Sequence, residues 1–154
     1  MYNSRMKNEF TLKKLTKIDS GIVKDIAGLL PQLDKESSTA VTKELLDTVI
    51  KSPTTKVFVA QDSAGKTIGM VTMISYRKIE GKSKAWIEDL VVDSAYRGKG
   101  IGKALMLRAM DEAKKSDVRV VYLTSRPHRT TAHALYREIG FKVVNTNCFK
   151  FELA

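Results

Sequence analysis

Cysteine is nearly absent from this chain, because Cys148 is the only one among 154 residues. A single thiol excludes an internal disulfide, a redox pair and a zinc cluster. Its apolar, strand-like flanks favour a packing residue over a nucleophile. No apolar stretch approaches the ~20 residues that span a bilayer. The first ten residues also lack the apolar core of a secretory signal, so the sequence predicts a cytoplasmic protein without a membrane partner.

Histidine and aromatic residues are also scarce. The chain has two histidines, and aromatic residues make up 7% of it. Two histidines alone make no convincing metal site, so none is predicted. Basic residues outnumber acidic ones by 27 to 17, and the net charge of +10 attracts anions of any kind. The cations are scattered without a series of stacking aromatics, which argues against a nucleic-acid partner.

Hydrophobic periodicity divides the chain into helices and strands. No repeat or linker is visible, which predicts a single domain over residues 1–154. Apolar residues at helical spacing follow Asp19, recur before Pro53, and return over residues 102–115 and 129–139. Strand patterns cover residues 10–15, both sides of a turn at 62–65, and residues 84–92, 119–125, 141–144 and 148–153. Adjacent strands followed by alternating helices and strands predict an α+β, or mixed α/β, fold.

The segment "RGKGIG", residues 97–102, lies between a predicted strand and a predicted helix. A helix start carries unused N–H groups and a partial positive charge, and glycine lets the backbone approach a ligand closely. Arg97, Lys99 and Lys103 add positive charge, so the segment indicates a polyphosphate site. The nucleotide-hydrolase pattern fails at Arg97 and Ala104, and the dinucleotide pattern fails because Gly102 comes one residue early.

Two motifs resemble the GNAT superfamily of acetyl-CoA-dependent N-acetyltransferases. "VVDSAYRGKGIGKALM" contains that family's [RQ]-x-x-G-x-[GA] pattern, and "AHALYREIGF", residues 132–141, is similar to its A-x-x-L-Y-x-x-x-G-F block. The resemblance implies a mostly antiparallel, twisted sheet of six to seven strands with about four helices. It also implies acetyl-CoA as cosubstrate. The implied coenzyme-binding residues are Leu90, Val91, Val92, Arg97, Gly98, Lys99, Gly100, Ile101, Gly102, Lys103, Arg129, Ala132 and Tyr136.

The resemblance further implies how acetyl transfer is catalysed. Glu88, on the strand before the glycine turn, is the expected base, with Asp89 as the alternative. The Val91 N–H is expected to stabilise the oxyanion, and Tyr136 to protonate or hydrogen-bond the departing thiolate. The pantetheine is expected to pair with residues 90–92, next to a bulge. An asparagine that contacts the pantetheine is common in the family where this chain has Arg129, so Arg129 is expected to meet a phosphate of the coenzyme or an anionic group of the substrate instead.

The acceptor is the least determined part of the sequence. The stretch from residue 124 to 151 is similar to that of aminoalkylphosphonate and other small-amine acetyltransferases, which favours a small primary amine, with or without an anionic group. One alternative is an acetyltransferase acting on protein lysines or N-termini. Another is a non-catalytic module that binds coenzyme A. The sequence allows a homodimer.

Overall fold

The computed structural model describes residues 9–35 and 40–154, and these residues form a five-stranded sheet. The predicted absence of a secretory signal concerns residues that lie mostly outside this range. The strand order is β1-β2-β3-β4-β5. β1 to β4 pair antiparallel, and β5 runs parallel to β4. The strands are β1 Phe10–Lys14, β2 Thr55–Asp62, β3 Thr67–Arg77, β4 Ser83–Val92 and β5 Val118–Tyr122.

The described residues also form four α-helices, whose ends follow local sequence signals. The Asp19 carboxylate accepts a hydrogen bond from the Ile22 N–H at 2.8 Å and caps the first helix, and the Thr42 hydroxyl caps the second. The third begins after Gly100. The helices are α1 Ser20–Leu33, α2 Lys43–Lys51, α3 Ile101–Lys115 and α4 Thr130–Ile139. No helix in the described residues has the length and apolar character to cross a membrane.

The chain separates into two compact units, of which the first ends at Thr124 and the second is Ser125–Ala154. The first unit contains the whole sheet with α1, α2 and α3. The second contains α4 and the residues after it. The single domain inferred from the sequence stays a prediction.

The first unit buries apolar side chains on both faces of its sheet. On one face, α1 packs Ile22, Ile26 and Leu29 against a cluster that includes Met70 and Val91. On the other, α3 lies close to β3, because a Cβ on Gly69 would come within 3.3 Å of both Ile101 and Leu105. Removing such apolar area from water is the main favourable term in folding. These two layers fix where β4 ends and where α3 begins.

The predicted fold class is confirmed, but the number of strands is not. Six to seven strands were expected, and the residues that the structure describes form five. Residues 141–144 and 148–153, predicted to be closing strands, are not strands in the structure. Apart from the half-buried Phe141, their apolar side chains are exposed, including Val143, Phe149 and Phe151. The alternating pattern is a local property, whereas a strand also needs a neighbour that accepts its hydrogen bonds.

Candidate active site

The turn between β4 and α3 has two glycines in a left-handed conformation. Gly98 has φ 79° and Gly100 has φ 78°, values that a side chain makes costly. Gly100 is the N-cap of α3, and its carbonyl accepts the hydrogen bond from the Ala104 N–H. The amides of Ile101 and Gly102 are therefore not used inside the helix. The turn thus presents main-chain donors at the positive end of a 15-residue helix.

The predicted cations around this turn have defined neighbours. Arg97 donates from Nε to the Val92 carbonyl at 3.0 Å, which ties the turn to the end of β4. The Lys99 ammonium lies 3.0 Å from the Glu9 carboxylate and 5.6 Å from the centre of the Tyr96 ring. Both partners of the Lys99–Glu9 pair are largely exposed, so the pair is weak and an anion would compete with it.

Residues that the sequence did not indicate hold the turn in place. The Tyr96 hydroxyl donates to Asp62 at 3.0 Å, and this bond raises the pKa of the phenol. The Gln32 side-chain oxygen accepts from the Ser94 N–H at 2.8 Å, which links α1 to the same segment. These partners lie 34 and 62 residues apart in sequence, so no local signal could have found them.

A β-bulge interrupts β4 before the turn. Glu88 pairs with Thr72 and Val91 pairs with Met70, so two residues of β4 oppose the single residue between Met70 and Thr72. Asp89, in the bulge, has φ 52°, which is uncommon for a residue with a side chain. Because directly opposed residues share a face of the sheet, Glu88 and Val91 lie on the same face. The implied bulge is therefore present, at Asp89.

In the described residues, the edge of β4 that faces β5 is unpaired from Ile87 onward. The ladder between these two strands ends at the pair Trp86 and Tyr122. In the described residues, the last part of β4 pairs only with β3. Main-chain groups of residues 90–92 therefore lie along an open edge that leads to the glycine turn. Such an edge is where an extended ligand can add a strand.

Glu88 lies at the start of this open edge. Its side chain is exposed, yet partial desolvation and then the charge of Asp89 raise the pKa of its carboxyl. Both influences disfavour the carboxylate form. A carboxylate with a raised pKa is a stronger proton acceptor.

The remaining predicted residues lie in the second unit, on α4. Arg129 is the N-cap of the helix, and Ala132 and Tyr136 follow at helical spacing on the same side. Burial raises the pKa of the Tyr136 phenol, and the charge of Arg129 acts in the opposite direction. The Tyr136 ring lies 6.1 Å from that of Phe141. His133 Nε2 is 3.1 Å from the Ser125 hydroxyl, a contact within this unit.

The fold is that of solved acetyltransferases. An aminoglycoside acetyltransferase from an uncultured soil metagenomic sample, solved with trehalose, has a TM-score of 0.84 at 20% identity, over 96% of this chain and 99% of that one. An acetyltransferase of Trypanosoma brucei has a TM-score of 0.76 at 22% identity, over 94% and 99%. At these identities the likeness shows the fold alone.

The family model of the GNAT acetyltransferases matches residues 27–141, and the chain belongs to this family. The resemblance found in the two motifs is thereby confirmed. Acetyl-CoA is the general cosubstrate of the family. The open edge, the exposed left-handed glycines and the surrounding cations fit such a ligand. In the described residues, no three His, Cys, Asp or Glu side chains are grouped as metal ligands.

Several curated relatives match parts of the chain. Glucosamine 6-phosphate N-acetyltransferase of Trypanosoma brucei brucei is 32% identical over 90 residues, which cover 57% of this chain and 58% of that protein. N-alpha-acetyltransferase RimI of Mycobacterium tuberculosis is 41% identical over 58 residues, or 38% and 35%. N-acetylaspartate synthetase of Xenopus tropicalis is 35% identical over 80 residues, or 52% and 28%. The matched segments span less than two thirds of each relative.

Proposed function

We propose that this chain transfers an acetyl group from acetyl-CoA to the primary amine of a small molecule, by direct attack in a ternary complex. The observation that carries the proposal is the open edge of β4, which continues into the left-handed glycine turn and the start of α3. An extended pantetheine needs an open strand edge, and the diphosphate that follows it needs the main-chain donors of the turn and the helix start. The A-x-x-L-Y block lies in the second unit, where burial raises the pKa of Tyr136.

The diphosphate is assigned to main-chain amides of residues 98–103, assisted by Arg97 and the lysines of the turn. Helix N-termini bind phosphate through N–H groups and the helix dipole. The pantetheine is assigned to the main chain of residues 90–92. The Val92 carbonyl already accepts a hydrogen bond from Arg97. The pantetheine would therefore pair with the other main-chain N–H and C=O groups of residues 90–92. In the second unit, Arg129 and Ala132 are assigned to the coenzyme as well.

Glu88 is assigned as the base. An alkylammonium has a pKa of about 10.4, so a proton must leave the amine, directly or through water, before it attacks. The amine nitrogen then forms a bond to the thioester carbon, and the carbonyl oxygen becomes an oxyanion that the Val91 N–H stabilises. The carbon–sulfur bond breaks, and the amide and a thiolate result. Glu88 holds the proton that the ammonium loses before attack. The second proton, which leaves the nitrogen as the amide forms, passes to the thiolate, so that coenzyme A is released as the thiol.

Tyr136 is assigned as the group that meets the thiolate. A phenol near pKa ~10 donates uphill to a thiolate whose conjugate acid is near ~8.5, so a hydrogen bond in the transition state is its main contribution. Its raised pKa keeps it protonated at neutral pH. Most of the acceleration is expected from holding amine and thioester together, because effective molarities reach about 10⁵ M or more.

Transfer to protein N-termini is the second candidate, and the 41% identity with N-alpha-acetyltransferase RimI favours it. An acceptor with an anionic group is supported by the trypanosomal relative, whose name specifies a phosphorylated amine.

A homodimer stays a prediction. Light scattering would test it, because a dimer has twice the 17.2 kDa mass of the chain. The cytoplasmic location also stays a prediction of the sequence.

A panel of small amines and N-terminal peptides, with release of free thiol from acetyl-CoA as the readout, tests the function. We expect transfer to at least one small amine, and a Glu88→Gln rate reduced about 100-fold or more. Because the base must be ionised, kcat/KM of the wild type should fall as pH drops through the raised pKa of Glu88, and the variant should lack this decrease. Glu80→Gln, in the exposed turn after β3, is the control. Binding of acetyl-CoA without transfer to any acceptor would favour the non-catalytic module.

A further inference from the structure

In the described residues of the first unit, α1 and α2 cover only part of one sheet face. The covered part of this face includes Val57, Val59, Met70 and Val91, which pack with α1 and the partly buried side chains of α2. Further along the same face the apolar side chains are open to solvent. Ile74 is 36% exposed, Tyr76 44% and Val120 41%. Apolar side chains grouped in this way on a surface often mark a binding site.

Strand register shows which side chains share this face. Thr72 pairs with Glu88, and the next row on the same face consists of Thr55, Ile74, Trp86 and Tyr122. A third row consists of Tyr76, Lys84 and Val120. We call the five apolar and aromatic members of the second and third rows the aromatic face: Ile74, Tyr76, Trp86, Val120 and Tyr122.

The aromatic face has a defined centre. The rings of Trp86 and Tyr122 stack with centres 5.4 Å apart and planes inclined by 29°. Both rings are half-buried, so each keeps part of its surface open. Lys84 lies with its ammonium 5.0 Å from the centre of the Tyr122 ring and borders the stack. A flat apolar group placed on the stack would lose contact with water and gain contact with two rings.

Glu88 sets the direction in which a ligand would lie. It follows Trp86 by two residues on the same strand face, a separation of about 6.6 Å along β4. The Glu88 carboxylate lies at the end of this face nearest the glycine turn, whereas the Lys84 ammonium belongs to the third row, at the far end. A molecule with an ammonium group at one end and a flat apolar group at the other complements this arrangement in both charge and polarity.

We propose that the acceptor is an arylalkylamine, whose ring lies on the aromatic face while its amine lies at Glu88. The inference rests on the proposed function, because it takes Glu88 to be where the amine reacts. It narrows the acceptor to an aromatic ring joined to the amine by a linker of two or three carbons. A linker of this length covers the distance from the row of Trp86 to the row of Glu88. Trp86 and Tyr122 are thereby specificity-determining residues.

Trp86 is the only tryptophan in the chain, so its fluorescence reports occupancy of the aromatic face directly. Titration of wild-type protein with 2-phenylethylamine, in the presence of saturating coenzyme A, should change this fluorescence to a plateau. Ethanolamine, which lacks the ring, and 2-aminoethylphosphonate, which has an anion in its place, should not. Under turnover with acetyl-CoA, kcat/KM for 2-phenylethylamine should exceed that for both comparators at least tenfold.

Trp86→Ala should raise KM for 2-phenylethylamine about tenfold or more, by loss of the stacking surface. Its acetyl-CoA Kd should stay within twofold of the wild type, which shows that the variant folds. Ile79→Ala is the control, because Ile79 is fully exposed in the turn after β3 and outside the aromatic face. It should change neither constant.

The outcomes separate the two proposals. If a comparator is acetylated and 2-phenylethylamine neither changes the Trp86 fluorescence nor reacts, the arylalkylamine assignment is wrong and the transferase proposal stands. If 2-phenylethylamine saturates the fluorescence change but no amine is acetylated, the aromatic face binds such amines and the transferase proposal is wrong. Absence of both binding and transfer for every amine would overturn both.

Discussion

Replacing Gly100 with alanine tests the glycine turn as the diphosphate site. Gly100 has φ 78°, and a Cβ added there would meet no heavy atom within 4 Å. The change therefore costs only backbone strain, about 1–2 kcal/mol for a side chain in the left-handed region. For a chain of this size each kcal/mol lowers Tm by about 2–4 °C. The strain is relieved only if the turn rotates, and rotation moves its amides away from the phosphates.

The effect on ligand affinity follows from the number of amides that are misplaced. A hydrogen bond to a charged group contributes about 1.5–3 kcal/mol, and 1.4 kcal/mol corresponds to a factor of ten. Loss of one amide contact should therefore weaken acetyl-CoA binding about 10- to 100-fold. Titration calorimetry with acetyl-CoA measures the affinity, and thermal unfolding without ligand measures the stability.

Gly81→Ala is the matched control for this experiment. Gly81 has φ 84°, and its added Cβ would also meet nothing within 4 Å. It lies in the turn before β4, about 30 Å from the glycine turn along the ten residues of that strand. Both variants should lose similar stability, and only Gly100→Ala should lose affinity. Unchanged affinity in both variants would show that the diphosphate is bound elsewhere.

Three further predictions concern other parts of the chain. Tyr136→Phe should lower kcat about tenfold or more at unchanged acetyl-CoA Kd, and an undiminished rate would contradict its assignment. Gly69→Ala should lower the free energy of unfolding in urea by about 1–3 kcal/mol, because its Cβ would lie 3.2 Å from the Val91 carbonyl oxygen. Gly28 lies in α1 with open space around it, so Gly28→Ala should instead raise the free energy of unfolding by about 0.5–1 kcal/mol. An equal loss of stability in both variants would refute the packing argument. In Glu112, the hydrogen bond from Lys56 outweighs desolvation and lowers the pKa of the carboxyl, so its stabilisation should be lost as pH falls through that lowered pKa. Glu112→Gln should flatten the dependence of the urea midpoint on pH below about 4, and an unchanged dependence would exclude Glu112 as its source.

The sequence alone determined the features that depend on neighbouring residues. Helix starts such as Asp19 and helix ends such as Gly140 follow from side-chain or backbone preferences within a few residues, and the structure confirms them. The left-handed turn at Gly98 and Gly100 is of the same kind, because only glycine adopts positive φ at little cost. The motif around this turn was therefore sufficient to indicate the family and the expected place of the coenzyme.

Tertiary structure decided what depends on distant partners. The pairing of β4 with β3 determines that the bulge lies at Asp89. No glycine in β4 indicates this position in the sequence. The contact of Gln32 with Ser94 joins segments 62 residues apart. The aromatic face is exposed because α1 and α2 cover only part of the sheet. The periodicity of residues within β3 or β4 does not indicate which part is covered. Periodicity records which side of an element is apolar, but only packing determines what covers that side.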